Sequence, residues 1–581
     1  MRDEGLDVLV VRATDTYLNE YVPEDDSTRI WLTGFTGSTG DAVITSDRCF
    51  LIVDGRYELQ AAQECPVYEV RVTALGTSIE MGWLGLLDEV AHGKRVGIEA
   101  DRISASLFAT LQKRGAAGGY TLVSTVPSIV EEVRTSLLQA PPRRAGQLWA
   151  IDPGLAGRTV HKRLAEGMVL LQQKQTDANA ANLDGLLLTA LDEIAWVTNL
   201  RGDQFPFQAT FRSTAVAANS EVILAADAQA VRPGRSVEDG VRVVGEAGLL
   251  PALLEWQKGI GRALRLGIDP ATAPAALVQR LTKAGIELTE VQSPFALLRT
   301  KKTKEELAHM VAAFRRADDV VSEVQKWLNG EVKKGHTVTE AMVAKKTEER
   351  FFSSGAFGLS FKVISAAGKN GAVIHYSTPD DKRPIKKGEL FLLDTGAYYE
   401  GGYATDLTRT FLVGPATTKA NKEQRRLFTL VLKAAIAGMS ARIPIGATGE
   451  QLDALVRAPL WAHGLDYGHG TGHGVGVNVH ESPPRITIGS RVPLEPGQVF
   501  SIEPGIYLPD WGGVRIENLC TVIEDPQTPP KGVNRRFLRV KPLTFSPLDM
   551  RLVDRRLLTD HEKRFVSWFR RGNSKILPPT S

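Results

Sequence analysis

Cysteine is almost missing from this chain: Cys49, Cys65 and Cys520 are the only three among 581 residues. They are scattered and show neither CxxC spacing nor a disulfide framework, which excludes a disulfide-stapled scaffold and points to a reducing compartment with three free core thiols. An excess of charge of one sign is missing too. A net charge of +3 on so long a chain is nearly balanced, so nothing calls for nucleic acid or an anionic membrane as partner. Long hydrophobic runs are absent: no stretch approaches the ~18 apolar residues of a membrane span. The opening MRDEGLDVLVVRATD puts two acids before a short apolar strand and lacks the basic start and long apolar stretch of a signal peptide. The expectation is a soluble, cytoplasmic protein. The remaining composition is ordinary for a globular chain, 43% hydrophobic and 24% charged, and the length is too great for one core.

Three regions are expected, 1–150, 151–298 and 299–581. The first reads as α/β: a buried-type strand at Leu6 to Val11, then Ile30 to Phe35, a hairpin of Ala42 to Thr45 with Phe50 to Val53, helices around Glu58 to Gln63 and Ser104 to Arg114, and a strand at Arg95 to Ile98. Gln139 to Gly146 reads as a linker. The second region looks like a diverged repeat, with Ile194 to Leu200 echoing Ile30 to Phe35 and Glu221 to Leu224 echoing Ala42 to Thr45. The third opens on a helix whose capping box is Thr303 and Glu306, followed at helical spacing by Leu307, Met310, Val311, Phe314, Ala317, Val321, Val324 and Leu328. A second helix fits Val338 to Phe352, and an amphipathic, basic one Thr559 to Gly572.

Five metal-ligand residues stand between 394 and 517: Asp394 in LLDTGAYY, Asp406 in YATDLTRT, His473 in HGTGHGVG, Glu503 in SIEPGIY and Glu517 in VRIENL. Four carboxylates and one imidazole make a hard, oxygen-rich set, suited to Mn²⁺ or another divalent first-row ion rather than to a thiolate-held structural zinc. More carboxylates than one ion needs allow some to bridge two. Gly388 to Leu393, an apolar run opened by a glycine turn, reads as a strand delivering Asp394, and Tyr403 to Val413 as its return strand carrying Asp406 after the Tyr399-Glu400-Gly401-Gly402 turn. Val499 to Ile502 delivers Glu503, and Val514 to Ile516 delivers Glu517. Arg515, two before Glu517, shares its strand face. A lone Asp at a strand end is most often a cap, and a lone Glu in an alternating segment a solvated face; five together in intact surroundings are neither.

These segments resemble the pita-bread metallopeptidases, which include methionine aminopeptidase, prolidase and aminopeptidase P. Within that group the match is to the three-domain, cytosolic-type Xaa-Pro aminopeptidases. It is carried by AVIHY around His375, DTGAYY, TDLTRT, HGTGHGVGVNVHE, EPGIY and VRIEN, upstream by TGFTGSTGDAVITSD, VDGRYELQAAQ and LDEIAWVTNLRG, and downstream by PLTFSPLD. One departure is visible: Asp394 and Asp406 stand twelve positions apart, one more than the family usually shows. The extra residue falls in the Glu400-Gly401-Gly402 turn, where glycine tolerates a tight or bulged tip.

The resemblance implies an α/β (α+β) chain of two creatinase-like N-terminal domains followed by a pita-bread catalytic domain with a C-terminal extension. It implies two divalent metal ions, Mn²⁺ before Zn²⁺ or Co²⁺, and hydrolysis of the bond before proline at the second position of a peptide by a hydroxide bridging the ions. Asp406 and Glu517 would bridge, Asp394 would hold the second ion, and Glu503 would bind metal and act as general base. His480 and His375 would hydrogen-bond the substrate around the scissile carbonyl, while His469 would line the pocket for the proline ring or the carboxyl group after it. Arg515 would orient a carboxylate or relay a proton with Tyr507; Arg56 in VDGRY matches a recurring family segment. A homodimer through the C-terminal domain is also implied. Prolidase, which cleaves dipeptides only, is the nearest alternative. A non-enzymatic binding module on the same fold is the alternative of another class, disfavoured because such relatives lose metal ligands that are all present here.

Overall fold

The computed structural model describes residues 1–177, 182–232, 234, 237–527, 535–572 and 577–579, without the side chains of 174–177. The chain separates into two compact units, Met1–Arg299 and Thr300–Ser581.

The first unit holds two six-stranded sheets of one design. In the first, β1 (Val8–Val11), β2 (Asp41–Thr45), β3 (Cys49–Val53), β4 (Glu69–Val72), β5 (Arg95–Ile98) and β6 (Thr121–Ser124) lie in the order β4-β3-β2-β1-β5-β6. In the second, β7 (Gly185–Leu188), β8 (Thr214–Ala217), β9 (Val222–Ala225), β10 (Val241–Val243), β11 (Arg265–Ile268) and β12 (Glu287–Glu290) lie in the order β10-β9-β8-β7-β11-β12. The first three strands of each run antiparallel and the rest pair parallel. Central strands such as VLVV in β1 and GLLL in β7 are buried throughout, as continuous apolar runs in a sheet covered on both faces should be.

Ile30 to Phe35 and its echo Ile194 to Leu200 both fall largely in helices, α1 (Thr28–Thr33) and α2 (Leu191–Val197). Ser27 caps α1 by accepting from the Ile30 amide, and Gly34 ends it at φ 75°. The second half of the echo is off by one strand. Glu221 to Leu224 enters β9, the counterpart of β3, whereas Ala42 to Thr45 lies in β2, whose counterpart is β8. Adjacent strands of one hairpin are equally apolar, so sequence similarity alone cannot tell them apart. No helix or strand interrupts 139–146.

The second unit opens with α3 (Lys304–Lys334), with the Thr303–Glu306 capping box formed and Met310, Phe314, Ala317, Val321, Val324 and Leu328 buried. After α4 (Glu340–Ser353) come a three-stranded antiparallel sheet, β13 (Ile364–Ala367), β14 (Leu390–Thr395) and β15 (Leu407–Leu412), and a six-stranded sheet. The latter takes β16 (Arg442–Pro444), β17 (Gly472–Gly474), β18 (Glu481–Ile486), β19 (Val499–Ile502), β22 (Asn518–Glu524) and β23 (Phe537–Pro542) in the order β16-β23-β22-β19-β17-β18. A hairpin of β20 (Gly505–Leu508) and β21 (Gly512–Arg515) lies between β19 and β22 in the chain. Helices α5 (Lys422–Met439) and α6 (Gly449–Trp461) bury Leu427, Phe428, Val431, Leu452 and Val456 in one core with Phe500, Ile502, Val514 and Val522. A last helix, α7 (Asp560–Phe569), seats Phe565, Trp568 and Phe569 in the same core. This packing makes a rigid backing for the strands that carry the motif residues. Among the described residues, no helix is long and apolar enough to cross a membrane.

Candidate metal centre

Asp394 stands in β14, whose six residues are all buried, opposite Thr408 of β15. Asp406 falls one residue before β15 rather than within a return strand starting at Tyr403. Between the aspartates the chain crosses itself tightly: a Cβ on Gly396 would stand 1.9 Å from the Thr405 carbonyl oxygen, so glycine alone fits this neck. The turn bearing the extra residue lies beyond it, with Gly401 and Gly402 at φ 92° and 64°. The β14–β15 register runs unbroken from Leu390–Leu412 to Thr395–Leu407.

His473 lies in β17, where Gly472 passes so close to Ser501 that a Cβ would meet its carbonyl oxygen at 1.9 Å. The His473 Nδ1 faces the Gly474 carbonyl at 3.1 Å, so a ring that binds metal keeps its proton on Nδ1 and offers Nε2 as the ligand, while without metal the facing carboxylates of Asp406 and Glu503 hold the ring protonated. Nε2 lies 3.4 Å from Asp406 Oδ2 and 3.3 Å from Glu503 Oε1. Ligand atoms of Asp406, His473 and Glu517 all fall within 4.8 Å of one another, close enough to share a cation. Glu503 directly follows β19, its amide donating to the Thr471 carbonyl at 2.8 Å and its Oε1 accepting from Ser501 Oγ at 3.1 Å.

Glu517 sits in the two-residue joint between β21 and β22, not on the strand itself. Arg515 ends β21, so the two do not share a strand face by alternation; Thr408 brings them together. Its hydroxyl donates to Glu517 Oε2 at 2.8 Å and accepts from Arg515 Nε at 3.1 Å. Arg515 also donates to Asp394 Oδ2 at 2.6 Å and to the Tyr507 hydroxyl at 2.8 Å. Tyr507 in turn reaches His469 Nε2 at 3.0 Å, and His469 Nδ1 faces the Gly470 carbonyl at 2.7 Å. Both nitrogens of that ring are thus engaged within the protein. Burial lowers the His469 pKa to about 4, so the ring is neutral.

His480 packs edge-on against His473, ring centroids 4.3 Å apart. His375 lies half-buried in the turn after the short Gly368–Ala372 helix, whose Gly371 abuts Gly513 of β21. Arg56 is held by Asp54 at 2.8 Å within the first unit.

The donor set fits divalent cations. Burial, reinforced by Asp406 and Glu503, pushes Glu517 well above the usual carboxylate range. Burial also lifts Asp394 to about 7 against the opposing pull of Arg515. The Asp394 Oδ1 atom is buried and accepts no hydrogen bond from the protein. For Glu503, burial is outweighed by the hydrogen bond and charge of His473, which hold it at about 2. Carboxylates crowded together away from water call for a multivalent cation.

Sequence reading passed over Thr408, Ser501, Thr471, Asp453 and Arg457. Thr408 and Ser501 stand two residues from Asp406 and Glu503, a spacing that alternation could have flagged. The others form a buried brace behind the histidine loop. Thr471 Oγ1 donates to Asp453 Oδ1 at 2.6 Å, while Arg457, one turn on in α6, donates to Asp453 at 2.9 Å and to the Tyr467 and His469 carbonyls at 2.9 and 2.5 Å.

Known proteins share this architecture. Metallopeptidase family M24 matches residues 308–524, and the creatinase/prolidase N-terminal domain matches twice, at 1–136 and 139–306. A probable Xaa-Pro aminopeptidase P of Pyricularia oryzae is 33% identical over all of this chain and 94% of its own. The crystal structure of an X-prolyl aminopeptidase from Caenorhabditis elegans, described as a cytosolic enzyme with a di-nuclear active site, superposes with a TM-score of 0.85 at 27% identity over 97% of this chain and 90% of that one. An Xaa-Pro dipeptidase from Bacillus anthracis gives 0.53 at 26% identity over 66% of this chain and 99% of its own. The chain belongs to the M24 metallopeptidases, in the group that joins two creatinase-type N-terminal domains to a pita-bread catalytic domain. It is a metal-dependent aminopeptidase, a hydrolase.

Proposed function

We propose that this aminopeptidase removes the first residue from peptides whose second residue is proline. The observation that carries the reading is similarity over 97% of the chain, both N-terminal sheets included, to the X-prolyl aminopeptidase of C. elegans, and the sequence carries every carboxylate and histidine of the expected donor set. Prolidase-type structures match about two thirds of the chain.

Asp394, Asp406, His473, Glu503 and Glu517 would hold two divalent ions, Mn²⁺ in our reading. Such a pair supplies a Lewis acid for the carbonyl and lowers the pKa of a water. Glu503, steadied by Ser501 and Thr471, takes the proton of the attacking water and delivers it to the proline nitrogen as the C–N bond breaks. His480 donates to the carbonyl oxygen as it gains charge, and His375 binds the same region. Arg515 restrains the Asp394 carboxylate from behind. His469, its nitrogens engaged by Tyr507 and Gly470, offers the substrate its ring surface, which suits a proline ring. The bond before proline lacks an N–H, so recognition rests on shape rather than on that donor.

We place the domain boundaries at 1–150, 151–298 and 299–581, the compartment in the cytoplasm like that of the C. elegans enzyme, and the assembly as a homodimer through the C-terminal domain. Hydrolysis of Arg-Pro-Pro with added Mn²⁺, against the same assay with chelator and against Xaa-Pro dipeptides, tests the activity. Cleavage of dipeptides alone makes the protein a prolidase.

A further inference from the structure

Lys302 and Glu481 form an ion pair at 2.6 Å with each side chain 1% exposed. They are 179 residues apart, and neither belongs to the metal centre. Two fully buried opposite charges are costly to desolvate, and such pairs are seldom kept for stability alone, since well-packed apolar side chains serve as well. What this pair touches gives it a use.

Glu481 follows His480 directly and opens β18, where it pairs with Gly474, the residue after His473. The register shifts between His473 and Gly474, so the ladder alone does not set the path of the Val475–His480 loop. The Val475 amide donates to the Val499 carbonyl at 2.9 Å and the Gly476 amide to the Asn478 carbonyl at 3.0 Å, and the ion pair adds a side-chain restraint to these. Its ends press on Gly476: a Cβ there would stand 1.8 Å from Glu481 Oε2 and 2.6 Å from Lys302 Nζ, so the clamp closes only over a glycine. The Gly476 carbonyl accepts from the Ala404 amide at 2.8 Å, two residues before Asp406. The Lys302 amide donates to the Gly497 carbonyl at 3.0 Å, so the ammonium is anchored through its own backbone just upstream of the Glu503 strand.

We propose that Lys302, through Glu481, is a positioning residue for His480. The clamp sets where the His480 ring stands relative to His473, and hence where its donor meets the carbonyl oxygen. The proposal rests on the role given to His480 above.

The test is a double-mutant cycle on metal-loaded, full-length protein with Arg-Pro-Pro as substrate, reading kcat, KM, bound metal and melting temperature. Lys302→Met lowers kcat about ten- to a hundredfold, the scale of a small displacement of a catalytic group, with KM and bound metal near parental values. Lys302→Met strands a buried carboxylate, so Lys302→Met/Glu481→Leu is made as well, an apolar pair that restores folding but not the clamp; its kcat stays low. In a His480→Ala background, Lys302→Met then costs little more, because the residue it acts through is gone. Parental kcat in the apolar double variant, or losses that multiply with His480→Ala, overturn the clamp while leaving the role of His480 intact. Parental kcat in His480→Ala by itself refutes that role, and the clamp with it.

Discussion

Both units of this chain bury carboxylates with dedicated donors, Glu340 and Asp318 in the second among them, but the carboxylates of the candidate metal centre are held differently. In the first unit Asp41, Asp15 and Glu99 each have their own donors. Asp41 accepts from Arg12 Nη1 at 2.7 Å, from Trp83 Nε1 at 2.9 Å and from the Ala13 amide at 2.8 Å. Asp15 accepts from the Asn19 side chain at 2.8 Å and from the amides of Tyr17 and Asn19, and Glu99 from Thr28 and Ser128. In the second unit, Asp394, Asp406, Glu503 and Glu517 face one another. The nearby cations are His473 and Arg515, and Asp394 Oδ1 goes without a hydrogen bond from the protein. A buried carboxylate with dedicated donors holds a fold together. Buried carboxylates that repel one another in a cluster mark a place where a cation can bind.

The contrast can be tested most strongly by removing the metal. Chelation should abolish peptide hydrolysis and added Mn²⁺ restore it; full turnover by thoroughly demetallated protein, checked by elemental analysis, would break the distinction between the units. Glu503→Gln should follow in size. It keeps the shape of the side chain and removes the base, for a loss of about 10²–10⁴-fold in kcat, measured with Arg-Pro-Pro at saturating Mn²⁺. A variant within roughly threefold of the parent, far below that range, would make Glu503 structural. His480→Ala should cost about 10²–10³-fold in kcat with little change in KM, because an oxyanion donor acts mainly in the transition state. A change confined to KM would make His480 a ground-state binder instead.

Arg12→Met sharpens the comparison from the other side. It leaves Asp41 buried without its cation and should cost about 3–5 kcal/mol of stability, as breaking one partner of a buried pair does. Denaturant unfolding measures this, and kcat per folded molecule should be unchanged. A fall in kcat without loss of stability would give the first unit a part in catalysis. Deleting Gly401 should do least. The turn lies past the Gly396 neck, and at its tip the His309 ring stands over Gly401 and reaches the Glu400 carbonyl. Metal content and proline-directed cleavage should both survive. A slipped register would instead turn Asp394 or Asp406 away from the centre, and metal content would fall.

Much of the centre was legible before folding. Its residues sit in short segments whose local frames, an apolar strand, a glycine crossing, an acidic strand end, are set by near neighbours. The capping box of α3 and the paired strands β14 and β15 were readable for the same reason. Strand ends were less so: Asp406 and Glu517 both lie just outside the strands expected to carry them. In the first unit, Glu221 to Leu224 matched the wrong strand of a hairpin because an apolar tetrapeptide carries no record of its neighbour.

The sequence by itself determined which residues can ligate metal and which chemistry they can perform, because ligand type and short-range spacing are properties of the chain. Only the tertiary structure decided what holds those residues in place. Thr408 joins Arg515 to Glu517, Asp453 and Arg457 brace the histidine loop from α6, and Lys302 meets Glu481 across 179 residues. A threonine or a lysine has no signature of its own for such a task. Its role arises when folding removes water and leaves one partner within reach, a condition set by packing and invisible in local sequence.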